Sequence, residues 1–205
     1  MFKKLFVALF VTGFISLTAS ITSPANAQEG TDPEQARLFI EDLAGKAMDV
    51  LNDTSLSQDD REVEFRRLLE EGFYITYIRR LVLGHHYQRA TEEQREEYNR
   101  IFPEYIIRLY AQRLTEFGDE KFTVTDALPS GKRDVIVNSN ITRPQGAPIG
   151  ASWRVRNVNG EMKIVDIVVA GMSQVINQKK QFSSIIPREG FEGLLEKLRS
   201  ATPIE

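Results

Sequence analysis

Asp166 is the residue whose surroundings most invite chemistry. It sits in an otherwise apolar run, with Val165 and Ile167 beside it. A carboxylate that faces a dry cavity is pushed towards its neutral form, and a carboxylate with a raised pKa can act as a general base. Enzymes of the ketosteroid-isomerase kind use that arrangement in a cone-shaped fold. The competing reading is an aspartate hydrogen-bonded to a nearby helix end, or paired with Arg154 or Arg156. That reading is favoured, because no second catalytic group accompanies Asp166. His85 and His86 are the only histidines, and they are adjacent. Neighbouring residues point about 100° apart on a helix and to opposite faces on a strand, so the pair is poorly placed to grip one metal. A polar junction between helices is the better reading. The chain has no HExxH, no cysteine-based metal site, no P-loop, no Gly-x-Gly-x-x-Gly and no Gly-x-Ser-x-Gly elbow. Neither a metal nor a cofactor is expected, and no enzymatic activity.

The elements that must hold these residues fall into a helical first half, a strand-rich stretch and a helical end. Asp32 is a good N-cap with Pro33 at the first helical position, and Ala36, Phe39, Ile40, Leu43, Ala47, Val50 and Leu51 recur at helical spacing. Ser57 caps a second helix carrying Phe65, Leu68 and Leu69. A short third helix over Ile75–Leu83 ends at Gly84, which suits a left-handed position. Thr91-Glu92-Glu93-Gln94 is a capping box opening a long helix, which Pro103 is expected to kink or break. After Phe117 the period changes to two. Lys121–Leu128, Val135–Ile141, Ile149–Val158 and Met162–Val169 read as four antiparallel strands, with a turn at Pro129–Lys132 and a hairpin at Asn159-Gly160. In the last strand both faces are apolar between Ile164 and Val169, as in a central strand covered on both sides. Gly171 or Ser173 opens a final helix that Pro187 is expected to stop, and Glu189–Ser200 forms another. The expected fold class is α+β, with helices packed on one curved four-stranded antiparallel sheet. Together they would enclose an apolar cone like that of the nuclear-transport-factor-like (NTF2-like) folds.

Lys3 and Lys4, the uncharged Leu5–Leu17 and the Ala25-x-Ala27 pattern read as a secretory signal peptide over residues 1–27, cut after Ala27. A retained anchor is the alternative, but Ser, Thr, Asn and Pro fill the second half of the uncharged run, whereas a spanning helix needs about 20 predominantly apolar residues. Residues 28–205 are then one exported domain. With no cysteine in the chain, no disulfide supports it. At about 180 residues a domain buries roughly 70% of its unfolded surface, so a core alone suffices. The formal charge of −3 becomes more negative once both leader lysines are gone, which disfavours nucleic acid as a partner. Arg61–Glu64 and Glu92–Glu97 read as solvated helix faces, and Lys179-Lys180 with Arg188 as a small basic patch.

Two blocks carry a family resemblance. Leu83-Gly84-His85-His86-Tyr87-Gln88-Arg89-Ala90-Thr91, followed by Glu93-Gln94, resembles an LG-x-x-W/Y-x-x-A-T-x-x-Q signature, and Tyr110-Ala111 matches its later YA. Gly160-Glu161-Met162-Lys163-Ile164-Val165-Asp166-Ile167-Val168-Val169-Ala170-Gly171-Met172-Ser173 resembles G-x-W-K-V-x-D-V-x-V-E-G-V-S. Asn177, Gln181-Phe182 and Ile185 then match N-Y-R-x-Q-F-x-x-I. These are motifs of the MlaC family, also called the toluene-tolerance auxiliary family, and the resemblance covers about Phe65–Leu198. Met162 replaces the usual Trp, Ala170 the usual Glu, and Gln178-Lys179 the usual Tyr-Arg. The resemblance implies a periplasmic phospholipid-binding protein without metal or enzymatic activity. It implies partners too: an outer-membrane lipoprotein complex and an inner-membrane ABC transporter complex between which lipid is ferried. Within the family, Asp166 belongs to a structural strand motif. A carrier of a hopanoid or another apolar ligand, and a cone-fold enzyme using Asp166, are the other readings. The protein is expected to act as a monomer.

A lipid carrier makes simple physical demands. The two chains of a phospholipid carry about 30 methylenes, each worth roughly 0.8 kcal/mol on leaving water. A deep apolar cavity with few polar groups meets that need. The expected lining is Val82, Phe102, Ile106, Tyr110, Val135, Val137, Trp153, Val155, Ile164, Val168, Phe182 and Ile186, with ordinary core packing as the alternative for each.

Overall fold

The computed structural model of the chain describes residues 30–114, 120–144 and 146–200. The signal peptide, its cleavage after Ala27 and the change of period after Phe117 lie outside the described residues. The order of elements is α1 (Pro33–Asn52), α2 (Gln58–Gly72), α3 (Ile75–Leu83), α4 (His86–Arg89), α5 (Glu92–Leu114), β1 (Lys121–Ser130), β2 (Asp134–Thr142), β3 (Ile149–Val158), β4 (Glu161–Val169), β5 (Met172–Ser173) and α6 (Gln174–Ser200). The class is α+β, as expected, but among the described residues the antiparallel sheet has five strands rather than four, in the order β1-β2-β3-β4-β5. The fifth is a two-residue strand folded back on β4, with Val169 opposite Met172. Its turn is Ala170-Gly171, both at positive φ. Alanine is not a usual residue for that conformation, so the turn carries no sequence signal.

The helix starts follow local chemistry. Asp32 accepts from Gln35 N at 2.8 Å and Ser57 from Asp60 N at 3.2 Å, which satisfies donors that a helix start leaves without partners. The capping box closes in both directions. Thr91 N donates to Gln94 Oε1 at 3.1 Å and Gln94 N to Thr91 Oγ1 at 3.3 Å. Gly84 ends α3 at φ 54° and ψ −128°. The φ is positive as expected, but the ψ is not that of a left-handed helical turn. A Cβ there would come within 2.9 Å of Lys179 Cε.

Two expected breaks lie elsewhere. α5 runs through Pro103. Proline cannot bond the carbonyl four residues back; that carbonyl, Asn99 O, has Arg79 Nη1 3.5 Å away. In α6 the interruption falls at Gly190 (φ 73°, ψ 178°) rather than at Pro187. Proline lowers helix stability, but only glycine takes that φ without strain.

A bulge in β4 sets which residues face inward. Arg154 pairs with Asp166, but the next residue, Val155, pairs with Ile164, so Val165 is an extra residue. A one-residue insertion reverses the alternation beyond it. Ile164 therefore shares a face with Val155, while Ile167 and Val169 share that same face opposite Trp153 and Ala151. Both sides of β4 read as apolar because the strand changes phase within its length.

Two apolar cores result. One joins α3, α5 and α6 around Tyr98, Phe102, Tyr105 and Phe182. Phe182 meets the Phe102 ring edge-on at 6.4 Å and 89°, and burial drives the Tyr98 phenol well above its ordinary pKa. The other packs Ala36 and Ile40 of α1 on Val135, Val137, Val155 and Ile164 of the sheet. α1 and α2 approach closely at Gly72, where a Cβ would lie 2.6 Å from Leu43 Cδ2.

Candidate ligand-binding cavity

Between these cores the helices and the sheet leave a cavity of about 370 Å³, within the usual range for ligand sites. α1 contributes Ile40, Leu43, Ala44 and Ala47, and α2 contributes Phe65, Leu68 and Leu69. α3 supplies Ile75, Ile78 and Val82, and α5 supplies Phe102 and Ile106. The sheet adds Ile141, Ile149, Ala151, Trp153, Ile167 and Val169. Ile40, Leu68, Val82 and Phe102 are buried and form the floor. Ala44, Ala47, Ile141, Ile149 and Val169 are half-buried, which puts the rim near the β2–β3 loop and the end of β4.

Polar groups are few on this wall, and each has a partner. Trp153 Nε1 donates to Ser139 Oγ at 2.9 Å. Gln174 Nε2 donates to Met172 O at 3.0 Å, and Gln178 Nε2 to the Tyr105 hydroxyl at 2.9 Å. Asp166 accepts from Ser173 Oγ at 2.6 Å and from Val175 N at 3.1 Å. Ser173 in turn accepts from Ile176 N at 3.1 Å and caps α6. The aspartate thus ties β4 to the start of α6, the helix-end reading made from the sequence. The arginines offered as its other partners bind Asp134 instead: Arg154 Nε at 2.7 Å, and Arg156 Nε at 2.6 Å with Nη2 at 3.0 Å. Burial alone would raise the Asp134 carboxyl, but the bonds from Arg156 and Arg154 outweigh it and hold the pKa below the ordinary carboxylate range. Arg156 also lies over the Tyr77 ring, 4.7 Å from its centroid.

His86 is buried, with its ring centroid 3.9 Å from that of His85. Burial lowers its pKa, and His85 and Arg89 add to that. The pair sits where α3 passes into α4. Among the described residues no group of three or more His, Cys, Asp or Glu side chains is placed to hold a metal.

The structure brings part of the expected lining together. Val82, Phe102, Ile106 and Trp153 face the cavity. Val135, Val137, Val155 and Ile164 lie on the cavity's face of the sheet but at its other end, where α1 covers them. Val168 falls on the opposite face, because the Val165 bulge turns Ile167 and Val169 inward in its place. Phe182 and Ile186 belong to the core of α3, α5 and α6. The Tyr110 side chain lies outside the described residues. The lining from α1, α2 and the start of α6 was missed. Its one sequence signal is the pair Ala44 and Ala47 on the apolar face of α1, small residues that leave room where larger ones would close it.

Helices over one antiparallel sheet, parted by an apolar cavity, define a class of cavity-bearing α+β protein. The same fold occurs in the phospholipid-binding protein of Ralstonia solanacearum, solved in complex with a phospholipid. The TM-score is 0.68 at 20% identity, covering 81% of this chain and 96% of that one. The chain belongs to the MlaC family, whose model, described as MlaC protein, matches residues 41–200. The intermembrane phospholipid transport system binding protein MlaC of Haemophilus influenzae is 32% identical over 131 residues, which are 62% of this chain and 61% of that protein. The toluene tolerance protein ttg2D of Pseudomonas putida is 22% identical over 183 residues, 89% of this chain and 81% of its own. The family resemblance read from the two sequence blocks is thereby borne out.

Proposed function

We propose that this protein is a phospholipid carrier of the periplasm. It takes the acyl chains into the cavity and moves lipid between an outer-membrane lipoprotein complex and an inner-membrane ABC transporter complex. The observation that carries this is the cavity wall: apolar from five helices and the sheet, with each polar side chain on it already bonded within the protein. Such a wall rewards the burial of methylenes, and Asp166, its carboxylate, is engaged by Ser173 and Val175. The names of the relatives, an intermembrane phospholipid transport binding protein and a phospholipid-bound structure, point the same way. Export behind a leader over residues 1–27, removed after Ala27, is part of the same reading.

Mass spectrometry of lipid extracted from the purified protein tests the reading. A diacyl phospholipid bound one to one is expected. A hopanoid in its place would change the cargo and keep the carrier. Failure to copurify with any lipid, joined to failure to bind added lipid, would sink the proposal.

A further inference from the structure

One polar side chain on the cavity wall differs from the others. Gln178 is 7% exposed, on the inner face of α6. Gln174 precedes it by one turn on that face and is half-buried at the rim. Gln178 lies one turn, about 6 Å, further along the helix, and it is the more deeply buried of the two. Its only hydrogen bond among the described residues is to the Tyr105 hydroxyl. A carboxamide has two N–H donors and an oxygen acceptor. One bond to Tyr105 fixes the plane of the group and leaves a donor and acceptor capacity towards the cavity, whichever way the amide is turned.

A diacyl lipid has one set of polar atoms at this depth. Its headgroup must stay wet, beyond the rim. Its methylenes offer no partner. The ester carbonyls lie between the two, and each accepts a hydrogen bond.

We propose that Gln178, oriented by Tyr105, is the polar handle of the cavity. It donates to an ester carbonyl of the bound glycerolipid and so sets how deep the acyl chains run. The proposal rests on the carrier reading above.

The delipidated exported protein is titrated with diacyl phosphatidylethanolamine and with its dialkyl ether counterpart of equal chain length, which lacks the carbonyls. Displacement of a fluorescent fatty-acid probe reports affinity. The unaltered protein is expected to prefer the ester lipid by about two- to tenfold, the worth of one neutral hydrogen bond. Gln178→Leu removes that preference by weakening the ester lipid alone, and Tyr105→Phe narrows it. Circular dichroism checks that both variants fold, and the ester–ether comparison in the unaltered protein needs neither. Equal binding of the two lipids, or an ester preference that survives Gln178→Leu, overturns the handle and leaves the carrier standing. A protein that binds neither lipid overturns the carrier reading as well.

Discussion

Two apolar regions lie back to back across α3 and α5, and they are finished differently. On one side Phe182 fills the space among Tyr98, Phe102 and Tyr105, with ring centroids 6.2–6.4 Å from its own. On the other side Ile78, Val82 and Phe102 face an open cavity. Phe102 borders both. Residue type therefore does not separate a filled core from a ligand site. The opposing surface does: α6 brings a ring, whereas α1 brings Ala44 and Ala47. The sheet repeats the contrast along its length. At one end Ala36 and Ile40 cover Val135 and Val137; at the other, Ile141, Ile149 and Val169 border space.

Truncation and filling should separate the two regions. Phe182→Ala is expected to cost the most, about 3–5 kcal/mol in denaturant unfolding, because the surrounding rings cannot collapse into the hole. A loss under about 1 kcal/mol would mean that the helical core is no better packed than the cavity. Asp134→Asn tests the closed end of the sheet. It leaves Arg156 buried against a neutral partner, and a loss of about 3 kcal/mol at neutral pH is expected. The sign of its pH dependence follows from the lowered Asp134 pKa. That stability is present above the unfolded carboxyl's value of about 4 and is lost as pH falls through the lower folded value. Acid unfolding of Asp134→Asn should therefore be less steep below about pH 4. Ala44→Phe should have the smallest effect on stability, within about 1 kcal/mol, since it fills space rather than displacing neighbours. The same change should abolish lipid uptake, measured by copurification. Strong destabilisation by Ala44→Phe would erase the distinction between the two regions.

Much of the fold was legible because it is written in short-range chemistry. Asp32, Ser57 and the Thr91–Gln94 box fix helix starts through bonds to residues three positions away. Asn159-Gly160 takes positive φ at both positions, as its sequence requires. The site was less legible, because it depends on what lies opposite each residue. Val165 gives no sign that it is an extra residue; the bulge shows only in the pairing of β4 with β3. Reading β4 as an unbroken alternation therefore put Val168 inward in place of Ile167 and Val169. The helical half of the lining was visible as apolar faces, but periodicity cannot say whether such a face meets a side chain or a void. Asp166 was read as bonded to a nearby helix end, and through Ser173 and Val175 it does bond the start of α6; what the sequence left unmarked is the two-residue strand that folds back on β4 between them.

Thr31 has a practical consequence. Its hydroxyl donates to Arg133 O at 2.5 Å and accepts from Asn157 N at 2.7 Å. Both belong to the sheet's end by the β1–β2 and β3–β4 turns, a strand's length of about 27 Å from the rim. The chain before α1 is thus fastened at the opposite pole from the opening. A bead, chip or fusion partner joined through that segment would leave the opening pointed outward, free to meet a vesicle or a second protein. The same attachment at the rim would stopper it. For single-molecule capture or surface-plasmon measurements of lipid transfer, that polarity decides which end of the protein to anchor.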